Sequence, residues 1–148
     1  MISVVVITAT SDRDLAALLS ALVPAAVDGL VREVLVADAG SSDAAAAICE
    51  DAGADVVADL AAALRRAKGD YVLALSASLR LRPGWDESVR RHLEEGGGPA
   101  LLVAREPGLL ERLTGPKLAG VLVRARDLDG VGDLADLRRH AGRAPILS

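Results

Sequence analysis

Three short polar stretches, each following an apolar run, carry side chains able to engage a ligand. They are Thr8-Ala9-Thr10-Ser11, Asp38-Ala39-Gly40-Ser41-Ser42-Asp43, and Ser76-Ala77-Ser78, with Arg80 and Arg82 just beyond the third. A hydroxyl can donate to a phosphate oxygen. A carboxylate can accept two hydrogen bonds from ring N–H or sugar hydroxyl groups, and a guanidinium can pair bidentately with phosphate. Each residue also has a plainer role open to it. Asp38 can cap the turn toward Ser41 and Ser42. Arg80 and Arg82, like Arg65 and Arg66 in a helical setting, can be solvated surface charges. His92 and His140 fall on charged helical faces with no nucleophile or acidic partner in view, and neither is assigned a role. The single Cys49 excludes an internal disulfide and a cysteine-rich metal site, and its expected place is the buried face of a helix.

The elements that would position these stretches follow from hydrophobic pattern. Ile2 to Ile7 is a nearly unbroken β-branched run, as in a strand buried on both faces. A helix is expected from Ser11, with Asp14 completing a rough capping box and Leu15, Leu18, Leu19 and Leu22 on one face; Pro24 is expected to end it. Val34 to Ala37 reads as a second strand and Ala44 to Ala52 as a helix stopped by Gly53. Asp55 to Ala58 is a short third strand. Asp59 can cap a helix with an apolar face of Leu60, Ala63, Leu64 and Ala67, closed by Gly69. Tyr71 to Leu75 is a fourth strand. Pro83-Gly84 leads into a helix carrying Trp85, Val89 and Leu93 on one side, and Glu94 to Pro99 is a Gly-rich turn. Leu101 to Ala104 and Val121 to Val123 are further strands. Short helices are expected over Leu109 to Leu113 and from Asp133 or Asp136 to His140, and Ile146-Leu147 is too short to assign.

Strands alternating with helices predict an α/β domain with a mostly parallel sheet and helices on both faces. No linker, repeat or low-complexity tail divides the 148 residues, so one domain over 1–148 is expected. In such sheets ligands bind beyond the carboxyl ends of the strands, near a switch in strand order. The three polar stretches would meet there. The first lacks the Gly-x-Gly-x-x-Gly of a dinucleotide site, and no Gly-x-x-x-x-Gly-Lys-Ser/Thr occurs.

Composition narrows the partners. Hydrophobic residues make up 51% of the chain and aromatics 1%, so the core must be built from Ala, Val, Leu and Ile. With a net charge of −4 and no aromatic stacking platform, nucleic acid is not an expected partner. No apolar run approaches the roughly 18 residues that span a bilayer, and no basic region precedes the first strand. A soluble, cytoplasmic protein is the expectation.

Three segments, in order, resemble the family 2 glycosyltransferases. Ser3 to Thr10 (SVVVITAT) resembles their first strand and nucleotide loop. Glu33 to Asp43 (EVLVADAGSSD) is similar to their second strand and acidic turn. Arg66 to Trp85 (RAKGDYVLALSASLRLRPGW) resembles their Gly-Asp strand, metal-binding tip and Pro-Gly-Trp helix entry. Gly120 to Leu147 is a weaker match to their distal strand and final helix. The resemblance implies a three-layer α/β/α GT-A domain of Rossmann-like character that binds a nucleotide or nucleotide-sugar. It implies that Asp38 contacts the base or ribose, that Thr8 and Thr10 line the nucleotide loop, and that Ser76 and Ser78 face the phosphates.

The sequence departs from that family at the chemistry. The family's metal tip is Asp-x-Asp or a close variant, holding Mn²⁺ or Mg²⁺ against the diphosphate leaving group. Here the tip is Ser76-Ala77-Ser78, hydroxyls in place of the anionic oxygens that hard cations prefer. No residue is therefore assigned as a metal ligand. The family's acidic pair before the last helix is shortened to Gly132-Asp133-Leu134-Ala135-Asp136, and Asp133 or Asp136 is the candidate base for the acceptor hydroxyl. The first loop lacks the family's usual Pro and Asn. The basic donor loop after the third strand is reduced to Asp59-Leu60-Ala61. Three functions fit: a small nucleotide-sugar-dependent glycosyltransferase that works without metal; a non-catalytic nucleotide-binding or regulatory module of GT-A ancestry; and a structural subunit, as a homo-oligomer or docked to another protein.

Overall fold

The computed structural model describes residues 1–7, 12–37, 43–76, 80–103, 118–127 and 145–147. Along the chain these form β1 (Ile2–Ile7), α1 (Asp12–Val27), β2 (Val31–Ala37), α2 (Asp43–Ala52), β3 (Asp55–Val57), α3 (Leu60–Arg66), β4 (Tyr71–Ser76), α4 (Trp85–Glu94), β5 (Ala100–Val103), β6 (Leu118–Arg124) and β7 (Ile146–Leu147). A single 3-10 turn, Ala125–Asp127, follows β6. The expected helices at 109–113 and 133–140, and the Ser11 end of the first capping box, lie outside the described residues.

The strands form one sheet in the order β3-β2-β1-β4-β6-β5-β7. β3, β2, β1 and β4 are mutually parallel, and β6 runs antiparallel between β4 and β5. Side-chain alternation divides the core into two apolar layers. Ile2, Val4 and Val6 of β1 join Val36, Leu73, Leu75 and Leu122 under α1, α2 and α4. Val5 joins Leu35, Val72, Ala74, Val121 and Val123 under α3. This is the three-layer α/β/α arrangement with a mostly parallel sheet that the alternation of elements predicts. Cys49 is buried on α2, as expected for a thiol on an apolar helix face.

Strand order and helix sides together locate the switch point. The chain moves outward from β1 to β2 to β3 with α1 and α2 on one face. It then crosses by α3 on the other face and re-enters as β4 on the opposite side of β1. The crevice at a reversal of this kind lies between the carboxyl ends of β1 and β4.

β2 and β6 run longer than the expected Val34 to Ala37 and Val121 to Val123, and two expected helix ends are corrected. Pro24 does not end α1, which continues to Val27. Proline removes one helical hydrogen bond, but Pro24 and Ser20 are both exposed, so water can serve the freed Ser20 carbonyl. Continuing the helix also buries Ala25 beneath the same layer as Leu18 and Leu22. The stop is Gly29, at φ 86°. Its N–H reaches the Ala26 carbonyl at 3.2 Å and the Leu30 N–H reaches the Ala25 carbonyl at 3.0 Å, the paired bonds of a left-handed helix terminus. Gly53 ends α2 in the same manner, as expected.

Gly69 does not close α3, which ends at Arg66 with Ala67 as its cap. Glycine is needed at 69 for close approach instead: a Cβ there would lie 2.6 Å from the Ser3 backbone nitrogen. The Gly69 N–H donates to Ser3 Oγ at 2.8 Å, and that hydroxyl donates to Glu33 Oε2 at 2.6 Å. Ser3 is fully buried, and this pairing satisfies it as both donor and acceptor. The network pins the entry to β4 against the amino ends of β1 and β2.

Candidate functional site

In-register parallel pairing brings the ends of four strands into one row. Ile7 of β1 is aligned with Ala37 of β2 on one side and Ser76 of β4 on the other, and Ala37 is aligned with Val57 of β3. The polar stretches 8–11, 38–42 and 77–79 each begin one residue beyond this row. Ile7 and Ala37 face the α3 layer, and strand alternation from Val72 and Ala74 puts Ser76 on the same face. Ser76 is half-buried at the tip of β4. Of the residues expected to bind a nucleotide, Ser76 is the one among the described residues. Thr8, Thr10, Asp38 and Ser78, and the candidate bases Asp133 and Asp136, lie outside them.

Beyond the end of β3 there is room for little loop. Ala58 and Asp59 alone join β3 to α3, and Asp59 Oδ1 accepts the Ala62 N–H at 2.8 Å as the helix N-cap. Asp59-Leu60, which the resemblance equates with a shortened loop, is thus the cap and start of a helix. Arg66 of α3 pairs with Asp55 at 3.7 Å on an exposed surface, which fits the solvated reading of that arginine.

Arg80 has a specific partner that the sequence does not announce. Its Nη2 lies 3.2 Å from Asp14 Oδ1, and its Nη1 lies 3.5 Å from the Asp14 carbonyl oxygen. Asp14 belongs to the first turn of α1, the helix that follows stretch 8–11, while Arg80 follows stretch 77–79. The ion pair therefore spans the switch point. The side chains are 46% and 33% exposed, open enough to exchange partners. The two residues are 66 apart in sequence. Only the β1–β4 pairing brings them together, so no local pattern could have revealed the contact.

Beyond Arg80 the chain turns into α4. Gly84 takes φ 82°, and the Trp85 N–H donates to the Arg82 carbonyl at 3.2 Å. Trp85 and Val89 are buried and Leu93 packs against them, which anchors the far side of the β4 tip.

The grooves among the described residues include two away from this row. The larger, about 490 Å³, is at the amino-terminal edge of the sheet, lined by Asp70, Tyr71, Arg124 and Arg126. There the Tyr71 hydroxyl accepts from Gly98 N–H at 3.2 Å and Arg124 Nε at 3.4 Å. The smaller, about 180 Å³, lies between α4 and β7, with His92 Nε2 3.0 Å from the Gly98 carbonyl oxygen at its side. The larger groove is at the opposite end of β4 from Ser76, where open parallel sheets do not place their ligands.

The described donor set does not fit a hard dication. No group of three or more His, Cys, Asp or Glu among the described residues could hold a metal ion. Ser76 brings a neutral hydroxyl to the position where the resemblance puts a carboxylate. Among the described residues no helix is long and apolar enough to cross a membrane.

Comparison with solved structures identifies the architecture. The chain is similar to glucosyl-3-phosphoglycerate synthase from Mycobacterium tuberculosis in complex with phosphoglyceric acid, with a TM-score of 0.66 at 22% identity, covering 86% of this chain and 58% of that one. It is similar to mannosyl-3-phosphoglycerate synthase from Rubrobacter xylanophilus, with a TM-score of 0.67 at 19% identity, covering 85% and 54%. The mycobacterial synthase in complex with Mn²⁺, UDP-glucose and phosphoglyceric acid matches at a TM-score of 0.64 and 23% identity, over 86% and 58%. These neighbours are GT-A glycosyltransferases, and the fold of this chain is the GT-A fold. The chain spans little more than half the length of each neighbour. No protein-family model matches it, and no curated protein does either.

Proposed function

We propose that this chain is a glycosyltransferase-like protein of family 2 descent that binds a nucleoside diphosphate, free or as a nucleotide-sugar, without a metal ion. The observation that carries the reading is the row Ala37–Ile7–Ser76 at the β1–β4 switch point of a GT-A fold. In this proposal Asp38 accepts hydrogen bonds from the base or ribose. Thr8, Thr10, Ser76 and Ser78 donate to the ligand's oxygens, and Asp133 or Asp136 takes the proton of an acceptor hydroxyl if transfer occurs.

A second reading is favoured by the tip itself: a module that retains nucleotide binding and has lost transfer. Two hydroxyls bring no charge to a departing diphosphate, whose stabilisation is usually the largest electrostatic contribution to such chemistry. Incubation with UDP-glucose, with and without phosphoglyceric acid, separates the two. Release of UDP above a heat-treated control supports the enzyme; binding with no release supports the module. The shared site is tested by Asp38→Asn, expected to weaken UDP about tenfold, the loss of one charge-assisted hydrogen bond. Unchanged affinity in that variant contradicts the assignment.

A further inference from the structure

We infer that Arg80 and Asp14 form an exchangeable ion pair, in which Arg80 leaves Asp14 to pair with an anionic diphosphate. This rests on the nucleotide reading above and names how its phosphates are met. Three observations support it. The pair bridges the first turn of α1 and the segment after β4, the two elements that flank the switch point. Its geometry is loose, with one contact at 3.2 Å and one at 3.5 Å, and its side chains are partly exposed. An exposed pair of this kind is weakly held and readily released.

The third observation is charge. The first turn of α1 carries Asp12 and Asp14, two carboxylates beside the position where an anion would sit. A diphosphate meeting an uncompensated Asp14 would be repelled, whereas a metal held by acidic side chains would screen it. Ser76 removes an acidic side chain that the resemblance expects at the tip. Arg80 then supplies positive charge in ion form, with a planar fork suited to phosphate oxygens. In the structure Asp14 occupies that fork. Asp14 is thus a counter-ion that restrains anion binding, and Arg80 is the group that switches.

The test uses the full chain, with UDP, inorganic pyrophosphate and uridine as probes in calorimetry. Arg80→Gln should weaken UDP and pyrophosphate about tenfold, as expected for a lost hydrogen bond to a charged group, and leave uridine unchanged. Asp14→Asn should tighten UDP and pyrophosphate about threefold, the size of an exposed charge contact. That gain should shrink in the Arg80→Gln background to what relief of direct repulsion alone supplies, because coupled partners are not additive. Arg80→Lys should recover part of the loss. Thermal melts verify that each variant is folded. Equal UDP affinity in wild type and Arg80→Gln overturns the exchange while leaving nucleotide binding intact. Weaker binding in Asp14→Asn makes Asp14 a support and also overturns it. If wild type does not bind UDP, the nucleotide reading fails and the exchange with it.

Discussion

Ser3 shows how one buried polar residue organises the closed end of the sheet. Its hydroxyl links Gly69 to Glu33 and is fully buried, so removing either partner strands a polar atom away from water. Glu33→Ala should therefore cost about 1–3 kcal/mol, read as a lower denaturation midpoint with an unchanged slope. Gly69→Ala should cost a similar amount, about 1–3 kcal/mol, because the added methyl meets backbone rather than a movable side chain. Hydrogen exchange at the amino ends of β1 and β4 should quicken in both. At the other end of the same strands, Ser76 sits where the resemblance expects an acid. Ser76→Asp combined with Ser78→Asp should bind Mn²⁺ more tightly than the wild type, measured by titration of the metal alone. Failure of the double variant to bind Mn²⁺ would remove the tip from the metal-site lineage.

Helix α1 illustrates what a chain of local signals conveys and where it stops. The Leu15, Leu18, Leu19 and Leu22 stripe is legible from spacing, and all four are buried. Pro24 reads locally as a stop. Tertiary packing overrides it, because the burial of Ala25 and the left-handed Gly29 terminus stabilise the longer helix. Pro24→Ala should then raise stability, by on the order of 1–3 kcal/mol, since it restores a helical hydrogen bond and leaves the buried face unchanged. A fall in melting temperature would contradict that account of Pro24. Asp59 was legible in full: an acidic residue before an apolar helical stripe is found as the N-cap of α3. Asp59→Ala should cost about 1 kcal/mol. Gly69 misled because a glycine after a helix usually marks its end, while its close approach to β1 depends on a strand 66 residues earlier. The ends of β2 and β6 were missed for a related reason. Glu33 and Arg124 break the apolar run, and the neighbouring strands hold them in the ladder, whereas Arg32 falls at the register shift between Val31 and Glu33.

At the scale of the whole molecule, the alternation of apolar runs and helical stripes is enough to anticipate a mostly parallel sheet with helices on both faces. It was not enough to foresee that Arg80 meets Asp14, or that the larger described groove lies at the amino-terminal edge beside Tyr71 and Arg124. Those features arise from strand register and connection, which sequence pattern specifies only through the assembled sheet. The same register aligns Ala37, Ile7 and Ser76, and so gives the proposed nucleotide site its floor. The central question is whether a GT-A fold with serines at its tip and Arg80 beside it binds a nucleoside diphosphate on its own residues. Calorimetric titration of UDP into the full chain, once in the presence of Mn²⁺ and once in a metal chelator, asks this directly. Binding of equal affinity in both conditions is the expected result. Binding that requires Mn²⁺, or no binding in either condition, would contradict it.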